Sequence, residues 1–257
     1  MPPMYEDELA FAHTVADEAA TIAMGLFADE GLEIRHKADR TLVTAADTAI
    51  ERMVRTSVQQ VFPGDRVMGE EEGGTFDGAG RVWIVDPIDG TANYARAIPV
   101  WATLIALQVD GQLVVGVASA PALGERYAAA RGHGASMNGK RIRVSDISRL
   151  VDAQFLYSQL DTLLGGTQGS GTLELLAGSN RERGFGDFWG HLLVARGASE
   201  ICIEPSLAIW DYAAIVPIVE EAGGRITDFA GRPPRHKGSV LTTNGALHAD
   251  VLRRLGG

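Results

Sequence analysis

The chain has 257 residues, 46% of them apolar, so it can bury a substantial core as one large domain or two smaller ones. Its formal net charge of -10 at pH 7 argues against a broad electrostatic interaction with nucleic acid or an anionic membrane. The single cysteine excludes an intramolecular disulfide and a thiolate zinc site. Because there is no signal-peptide pattern and no run of about 18 apolar residues, we expect a soluble, cytoplasmic protein that does not enter a membrane.

The first half of the chain predicts two helices followed mainly by strands. Apolar residues at helical spacing predict a helix over 5–28, and a second helix is expected from a Thr44 cap to Phe62. A further helix or tight turn is expected to open at Gly90, and the segment 102–121 predicts a hairpin. Short strands are predicted for 32–37, 66–71, 81–87, 125–131 and 140–145.

Beyond about residue 150 the pattern changes to short strands that alternate with helices. Strands are predicted for 153–158, 199–205, 224–228 and 239–244, and helices for 172–177, 186–197, 209–224 and 246–255. Two Gly-rich segments, 132–139 and 165–171, are expected to be loops. We therefore expect an α+β part over 1–147 and an α/β part over 148–257. Since no Pro/Gly linker separates them, they should form one catalytic unit, 1–257.

Two aspartates stand close together in WIVDPIDGTANY, residues 83–94. Asp86 and Asp89 flank the end of a predicted buried strand, and Pro87 restricts the backbone between them. Two carboxylates this close raise each other's pKa unless a proton or a cation lies between them. The turn at Gly90 leaves backbone N–H groups available for an anion. The segment predicts either a metal site or a protonated aspartate, and a purely structural turn is the weaker alternative.

Other acidic residues lie near the ends of predicted elements. Asp47 falls in the first turn of the second helix, the run 70–72 follows a strand, and Asp211 begins a helix. Taken singly, each has a simpler explanation, as a favourable charge at a helix N-terminus or as a solvated face. Taken together, carboxylates without a nearby His or Cys favour Mg²⁺ over Zn²⁺. The two-residue spacing in DPIDGT excludes the Asp-x-Asp-Gly-Thr motif of haloacid-dehalogenase-type phosphatases, and an EF-hand is excluded as well.

Four segments resemble the inositol monophosphatase-like family of Mg²⁺-dependent phosphatases. They are VTAAD, GEE, WIVDPIDGTANY and WD with the later EEAGGRITD, which occur in the family's order over nearly the whole chain. The resemblance implies a layered αβαβα sugar-phosphatase fold, a homodimer, inhibition by lithium, and phosphate-ester hydrolysis by direct attack of a metal-activated water. The substrate would be a small phosphorylated metabolite.

The resemblance also implies roles for individual residues. Two or three Mg²⁺ would be held by Glu70, Asp86, the Ile88 carbonyl, Asp89 and Asp211. Asp47 and Thr91 would be the catalytic pair that helps to activate the water, with a contribution from Glu70. The backbone amides of Gly90 and Thr91 would bind the phosphate.

The segment 183–197 departs from the inositol-phosphatase pattern and resembles the histidinol-phosphate phosphatases of the same superfamily. Asp187 and Glu204 are expected to contact the cationic part of such a substrate, although Asp187 could equally cap a helix over 188–196. Arg183 is expected to contact the phosphate or a partner subunit.

Three further side chains of this segment each have two possible roles. Phe188 and Trp189 are available to stack on an imidazole, although core packing is favoured for at least one of them. His191 is expected to be structural or to face solvent.

The resemblance predicts hydrolysis of L-histidinol phosphate to L-histidinol and phosphate, a step of histidine biosynthesis. Within the same class, the alternative is an inositol-1-phosphate phosphatase or a broad-specificity sugar-phosphate phosphatase. From a different class, the alternative is a non-catalytic metal-binding regulatory module.

Overall fold

The computed structural model describes residues 5–29, 31, 33–36, 42–75 and 78–256. The chain begins with α1 (Glu6–Leu26), β1 (Ile34–His36), β2 (Leu42–Thr44) and α2 (Ala45–Val61). Both predicted helices are confirmed, and the Thr44 side chain caps α2 by accepting a hydrogen bond from the Ala46 N–H. The strand predicted for 32–37 is observed as β1, while residues 32 and 37 lie outside the described residues.

A seven-stranded sheet follows. Its strands are β3 (Arg66–Gly69), β4 (Arg81–Asp89), β5 (Ala102–Val109), β6 (Gln112–Ala120), β7 (Glu125–Ala130), β8 (Gly134–Met137) and β9 (Lys140–Arg141), in that spatial order. Short helix α3 (Thr91–Tyr94) lies between β4 and β5. β3 and β4 are parallel, and every other neighbouring pair is antiparallel. The predicted hairpin is confirmed as β5–β6, with Asp110 and Gly111 both at positive φ in its turn.

Two predictions around this sheet are wrong. The Gly-rich segment 132–139 contains β8, because its glycines and Asn138 form tight turns at the strand ends instead of one long loop. The strand predicted for 140–145 is reduced to β9. After Arg141 the chain leaves the sheet, and the Val144 N–H donates to the carbonyl of Ala222.

The second half forms a five-stranded mixed sheet. Its strands are β10 (Gln154–Tyr157), β11 (Arg181–Arg183), β12 (Ile201–Leu207), β13 (Arg225–Thr227) and β14 (Gly238–Thr243), in the order β11-β10-β12-β14-β13. Its helices are α4 (Leu160–Gly165), α5 (Gly169–Gly178), α6 (Asp187–Ala195), α7 (Ile209–Tyr212), α8 (Ile215–Glu221) and α9 (His248–Leu255). The change from the first sheet to the second falls between β9 and β10.

Two further predictions fail in this half. Part of the expected 165–171 loop is the start of α5, because Gly171 packs on α9, where a Cβ would lie 2.0 Å from the Arg254 carbonyl oxygen. The helix predicted over 209–224 is split into α7 and α8. Pro217 has no N–H to extend α7, but its position in the first turn of α8 requires none.

The elements stack in five layers. Side chains alternate along β4, so that Trp83 and Val85 pack with α1 and α2, whereas Val82 and Ile84 pack with α6 and α8. The other face of the five-stranded sheet packs on α4, α5 and α9. This is the αβαβα arrangement that was predicted. None of the helices in the described ranges combines the length and the hydrophobicity that a membrane-spanning helix needs.

Candidate active site

Asp86 and Asp89 project into the same site because of an irregularity in β4. Residues three apart on a regular strand point to opposite faces of a sheet. The register between β4 and β5 shifts between Asp86 and Asp89, at Pro87, whose carbonyl accepts a hydrogen bond from Thr103 Oγ1 (2.8 Å). The bulge allows the two carboxylates to converge.

Asp211 joins this pair from the first turn of α7. Its Oδ2 accepts a hydrogen bond from the Ala208 N–H (2.7 Å), as expected of an acid at a helix start. One carboxylate oxygen from each of Asp86, Asp89 and Asp211 lies within 4.8 Å of the others. Asp211 therefore stabilises the start of α7 and belongs to the carboxylate cluster at the same time.

Burial and mutual repulsion disfavour negative charge in this cluster. Burial raises the pKa of Asp86 well above its usual range, and the charges of Glu70, Asp89 and Asp211 raise it further. The pKa of Asp89 is raised by burial and by Asp187 and Asp211, although the Phe188 N–H donates to its Oδ2 (2.8 Å).

The cluster has the donor set that a hard divalent cation requires. Within the described part of the chain, Oδ1 of buried Asp86 has no hydrogen-bond partner. A buried carboxylate oxygen without a donor is costly unless a cation or a water satisfies it. With three carboxylates converging, the site fits Mg²⁺.

Asp47 and Thr91 lie beside this cluster. Asp47 is fully buried, and its Oδ2 accepts hydrogen bonds from the N–H and the hydroxyl of Thr44 (2.8 and 2.5 Å). Burial raises its pKa to about 6, and Glu70 adds to the shift. Its Oδ1 is buried without a partner among the described residues. Thr91 Oγ1 donates to the carbonyl of Ile88 (2.9 Å), so its hydroxyl bonds to the predicted metal ligand and not to Asp47.

Gly90 is required by its conformation. It adopts φ of +83°, and a Cβ would lie 3.0 Å from the Val100 carbonyl oxygen. α3 begins at the next residue, Thr91. Binding of phosphate by the amides of Gly90 and Thr91 stays a prediction.

The start of α6 links the metal-side acids to the substrate-side acids. The Asp187 N–H donates to Glu204 Oε1 (3.0 Å), and the next amide, Phe188 N–H, donates to Asp89. Glu204 lies buried on β12, and Ser158 Oγ donates to its other oxygen. Two adjacent amides thus hold one acid from each of the two sheets.

These substrate-side acids also resist ionisation. Burial, followed by the charge of Asp187, raises the pKa of Glu204 to about 8, and burial raises the pKa of Asp187. The alternative that Asp187 caps α6 is wrong, because Gly186 is the N-cap residue and no side-chain capping hydrogen bond is found there among the described residues. Asp187 instead adopts φ of +54°, a strained conformation that Asp tolerates better than most residues.

A cavity of about 390 Å³ opens beside these acids. Its walls include Asp187, Trp189, Phe185, Ser158 and Asn93. A larger cavity of about 800 Å³, near Arg225 and His236, is lined by described residues that do not include any of the clustered carboxylates. Cavity size alone would therefore point to the wrong place.

The structure also places three other residues of this region. Phe188 is buried in the core, whereas Trp189 lines the smaller cavity with its ring centroid 5.0 Å from that of Phe185. His191 is fully buried with Nδ1 2.8 Å from Thr242 Oγ1, so the solvent-facing alternative is wrong.

Arg183 ends β11 and is not among the described residues that line the smaller cavity. Its guanidinium donates to the carbonyl of Glu182 (2.6 Å). Contact between Arg183 and phosphate or a partner subunit stays a prediction.

Sequence reasoning missed two residues, Ser158 and Glu51. Ser158 ends a predicted strand, and a hydroxyl there carries no distinctive signal. Glu51 lies one turn after Asp47 on α2, where helical periodicity places both acids in line with the apolar residues 50, 54 and 58, and both are fully buried. Their spacing was the only available signal.

The layered fold and the buried carboxylate cluster are those of a phosphatase. The chain belongs to the inositol monophosphatase family, whose model matches residues 4–255. Members of this family are generally magnesium-dependent. The chain is 44% identical to the histidinol-phosphatase of Streptomyces coelicolor (97% of each chain) and 45% identical to that of Mycobacterium tuberculosis (98% of this chain, 99% of the relative). The extragenic suppressor protein suhB of Bartonella henselae has a similar structure, with a TM-score of 0.90 and 28% identity over 97% of this chain and 98% of that chain.

Proposed function

We propose that this phosphatase hydrolyses L-histidinol phosphate to L-histidinol and phosphate. The observation that carries the proposal is the pair of adjacent α6 amides, which hold Glu204 on one side and Asp89 on the other. This arrangement supports a site for a cationic group directly beside the proposed site for a phosphate ester. The full-length likeness to two histidinol-phosphatases supports the same substrate.

Glu70, Asp86, Asp89, Asp211 and the Ile88 carbonyl would hold two or three Mg²⁺. When bound, Mg²⁺ lowers the pKa of a water and stabilises the leaving oxygen of a phosphate ester. Two observations support this ligand set: Asp86 has one oxygen without a partner in the described part of the chain, and it converges with Asp89 and Asp211.

The chain's own residues position and deprotonate the nucleophilic water. Thr44 fixes the Asp47 carboxylate through Oδ2, which leaves Oδ1 oriented to accept a proton. Thr91 holds the Ile88 carbonyl in place and presents its own amide, next to that of Gly90, to the phosphate oxygens. The family resemblance supports these roles.

The substrate-side acids would select a cation. Asp187 and Glu204 offer carboxylates to the ammonium and the imidazole of histidinol, and charge-assisted hydrogen bonds of this kind contribute about 1.5–3 kcal/mol each. A neutral polyol such as inositol would leave the same two acids, of which Glu204 is buried, without a counter-charge. By the same resemblance, we propose a homodimer, which light scattering on purified protein would check.

A comparison of kcat/KM on three esters tests the substrate. With Mg²⁺, we expect histidinol phosphate to be preferred over inositol-1-phosphate and fructose-1,6-bisphosphate by about 100-fold, or roughly 2.7 kcal/mol of transition-state discrimination. Equal values, or a preference for inositol-1-phosphate, would overturn the substrate and leave the phosphatase class intact. Release of phosphate from none of them would favour a regulatory module.

A further inference from the structure

Glu51 is a buried carboxylate that belongs to no predicted ligand set. It lies on α2 with 0% of its surface exposed. A buried charge is tolerated only when it is paired and hydrogen-bonded. Its Oε2 accepts the Glu71 N–H (2.7 Å), and its Oε1 accepts the Glu72 N–H (3.0 Å). Glu51 thus binds the backbone immediately after the predicted metal ligand Glu70.

Arg55 completes the arrangement from the next turn of α2. Its Nε and Nη2 donate to Glu51 Oε1 (3.0 and 2.7 Å). The same guanidinium donates to the carbonyls of Val67 and Gly73, which lie on either side of Glu70, in the loop formed by residues 69–73 and the strand before it. The Gly69 N–H closes the loop by donating to the Gly73 carbonyl (3.1 Å). The Glu51–Arg55 pair therefore holds the loop at both ends and in its middle.

Gly69 shows how tightly the carboxylate fits. A Cβ on this residue would lie 2.2 Å from Glu51 Oε1 and 2.5 Å from Oε2. Because Gly69 does not have a left-handed φ, the requirement for glycine is steric and comes from Glu51. The glycine of the GEE segment is explained by a side chain on a helix 18 residues earlier.

We propose that Glu51 is a positioning residue for the metal site, acting through the backbone of the 69–73 loop to hold Glu70 in place. The inference rests on the metal site of the proposed function. Mg²⁺ demands near-ideal geometry, so a ligand on a loosely held loop binds it less well. Loss of residues that orient metal ligands typically costs about 10–100-fold in metal affinity.

Glu51→Gln is the sharpest test because it keeps the size of the side chain. If the amide oxygen accepts from Arg55 and the Glu72 N–H, the amide NH₂ faces the Glu71 N–H, and two donors oppose each other. By isothermal titration calorimetry with Mg²⁺ alone, we expect affinity to fall about 10–100-fold. At saturating Mg²⁺ we expect kcat to return to within about threefold of wild type, because every ligand is still present.

Val58→Ala is the matched control. Val58 is buried on the same helix but packs in the core of the molecule, so its truncation should lower the melting temperature and leave Mg²⁺ affinity unchanged. If Glu51 had only a structural role, Glu51→Gln would also lower the melting temperature and leave Mg²⁺ affinity unchanged. Wild-type Mg²⁺ affinity in Glu51→Gln would overturn the inference and leave the proposed function standing. Failure of the wild-type protein to bind Mg²⁺ would overturn both.

Gly69→Ala disturbs the same contact from the side of the loop. It provides a second test if the Glu51→Gln variant does not fold. The added methyl group must displace the Glu51 carboxylate, so a comparable loss of Mg²⁺ affinity is expected. Because both substitutions break one contact, the double variant should lose little more than the weaker-binding single variant. Unchanged affinity in Gly69→Ala, or full additivity in the double variant, would contradict the inference.

Discussion

Two buried acids on the metal side of the site, Asp86 and Asp47, are held differently from Glu204 on the substrate side. On the metal side, Asp86 and Asp47 each keep one buried oxygen without a hydrogen-bond partner in the described ranges. On the substrate side, both oxygens of Glu204 accept hydrogen bonds, from Ser158 and from the Asp187 amide. The metal side is therefore incomplete as protein alone, whereas Glu204 is already fixed before anything binds.

The two sides of the site are therefore prepared for their ligands in two different ways. Unpartnered oxygens cost stability in the absence of a cation and are available to bind one. A hydrogen-bonded carboxylate is preorganised, so little ordering remains to be done when a cationic ligand arrives. Substitutions on the two sides should accordingly differ in their effects on rate, selectivity and stability.

The largest effect is expected from Asp86→Asn. With Mg²⁺, we expect kcat to fall by at least about 10³-fold, since a catalytic metal supplies several kcal/mol. In EDTA the variant should be more stable to urea than wild type, because it removes a buried acid whose ionisation burial and the charges of Glu70, Asp89 and Asp211 oppose.

Asp228→Asn is the control for that result. Asp228 is also buried, but Arg232 and backbone amides stabilise its negative charge, so its loss should lower stability and leave kcat unchanged. Near-wild-type turnover in Asp86→Asn would contradict the metal assignment.

The substrate side should govern selectivity. Asp187→Asn and Glu204→Gln are each expected to lower kcat/KM for histidinol phosphate by about 10–100-fold, the equivalent of one charge-assisted hydrogen bond. The same variants should change kcat/KM for inositol-1-phosphate by less than about threefold. Asn also tolerates the positive φ at position 187. Equal losses on both substrates would show that these acids only support the fold.

Stability of the metal-free protein should depend on pH through Glu204. Its pKa is raised to about 8 by burial, so between about pH 4.5 and 8 the folded state binds more protons than the unfolded state. The free energy of unfolding should therefore decrease as pH rises through this window. Glu204→Gln should remove up to about 1.4 kcal/mol per pH unit from that slope. Urea unfolding in EDTA at several pH values would measure it, and identical slopes would contradict the assignment.

The smallest effect is expected from Trp189→Ala. Trp189 forms part of the cavity wall beside Asp187, and a ring facing a cation contributes about 0.5–1 kcal/mol at a partly exposed site. We expect KM for histidinol phosphate to rise about two- to fivefold with kcat unchanged. Leu173→Ala, an exposed residue of α5, is the control and should change neither constant. A loss of kcat in Trp189→Ala would indicate a disturbed α6 instead.

Much of the fold was accessible from the sequence where the signal is local. The apolar stripes of α1 and α2, the Thr44 cap and the β5–β6 hairpin all depend on residues near one another in the chain. Prediction failed at the glycine-rich segments. Glycine indicates conformational freedom, but only distant contacts decide its use, as when Gly171 packs on α9 and so belongs to a helix.

In the candidate site, too, the residue types were predictable from the sequence, whereas the contacts between distant residues were not. Acidic side chains in DPIDGT, GEE and WD indicated a magnesium site, because the choice of oxygen ligands is written in residue types. The sequence did not show which residues these acidic side chains would contact. The β4 bulge that brings Asp86 and Asp89 together arises from pairing with β5, and the α6 amides reach acids on two different sheets.

Asp47 and Glu51 illustrate the boundary between the two kinds of information. By itself, the sequence determined that two carboxylates lie one turn apart on the same face of α2. Only the tertiary structure decided that Asp47, which interacts with Glu70, keeps one oxygen without a partner among the described residues, whereas Glu51 is bonded by two amides and an arginine. The physical reason is that hydrogen bonding in a buried site depends on which distant backbone groups the fold brings within about 3 Å.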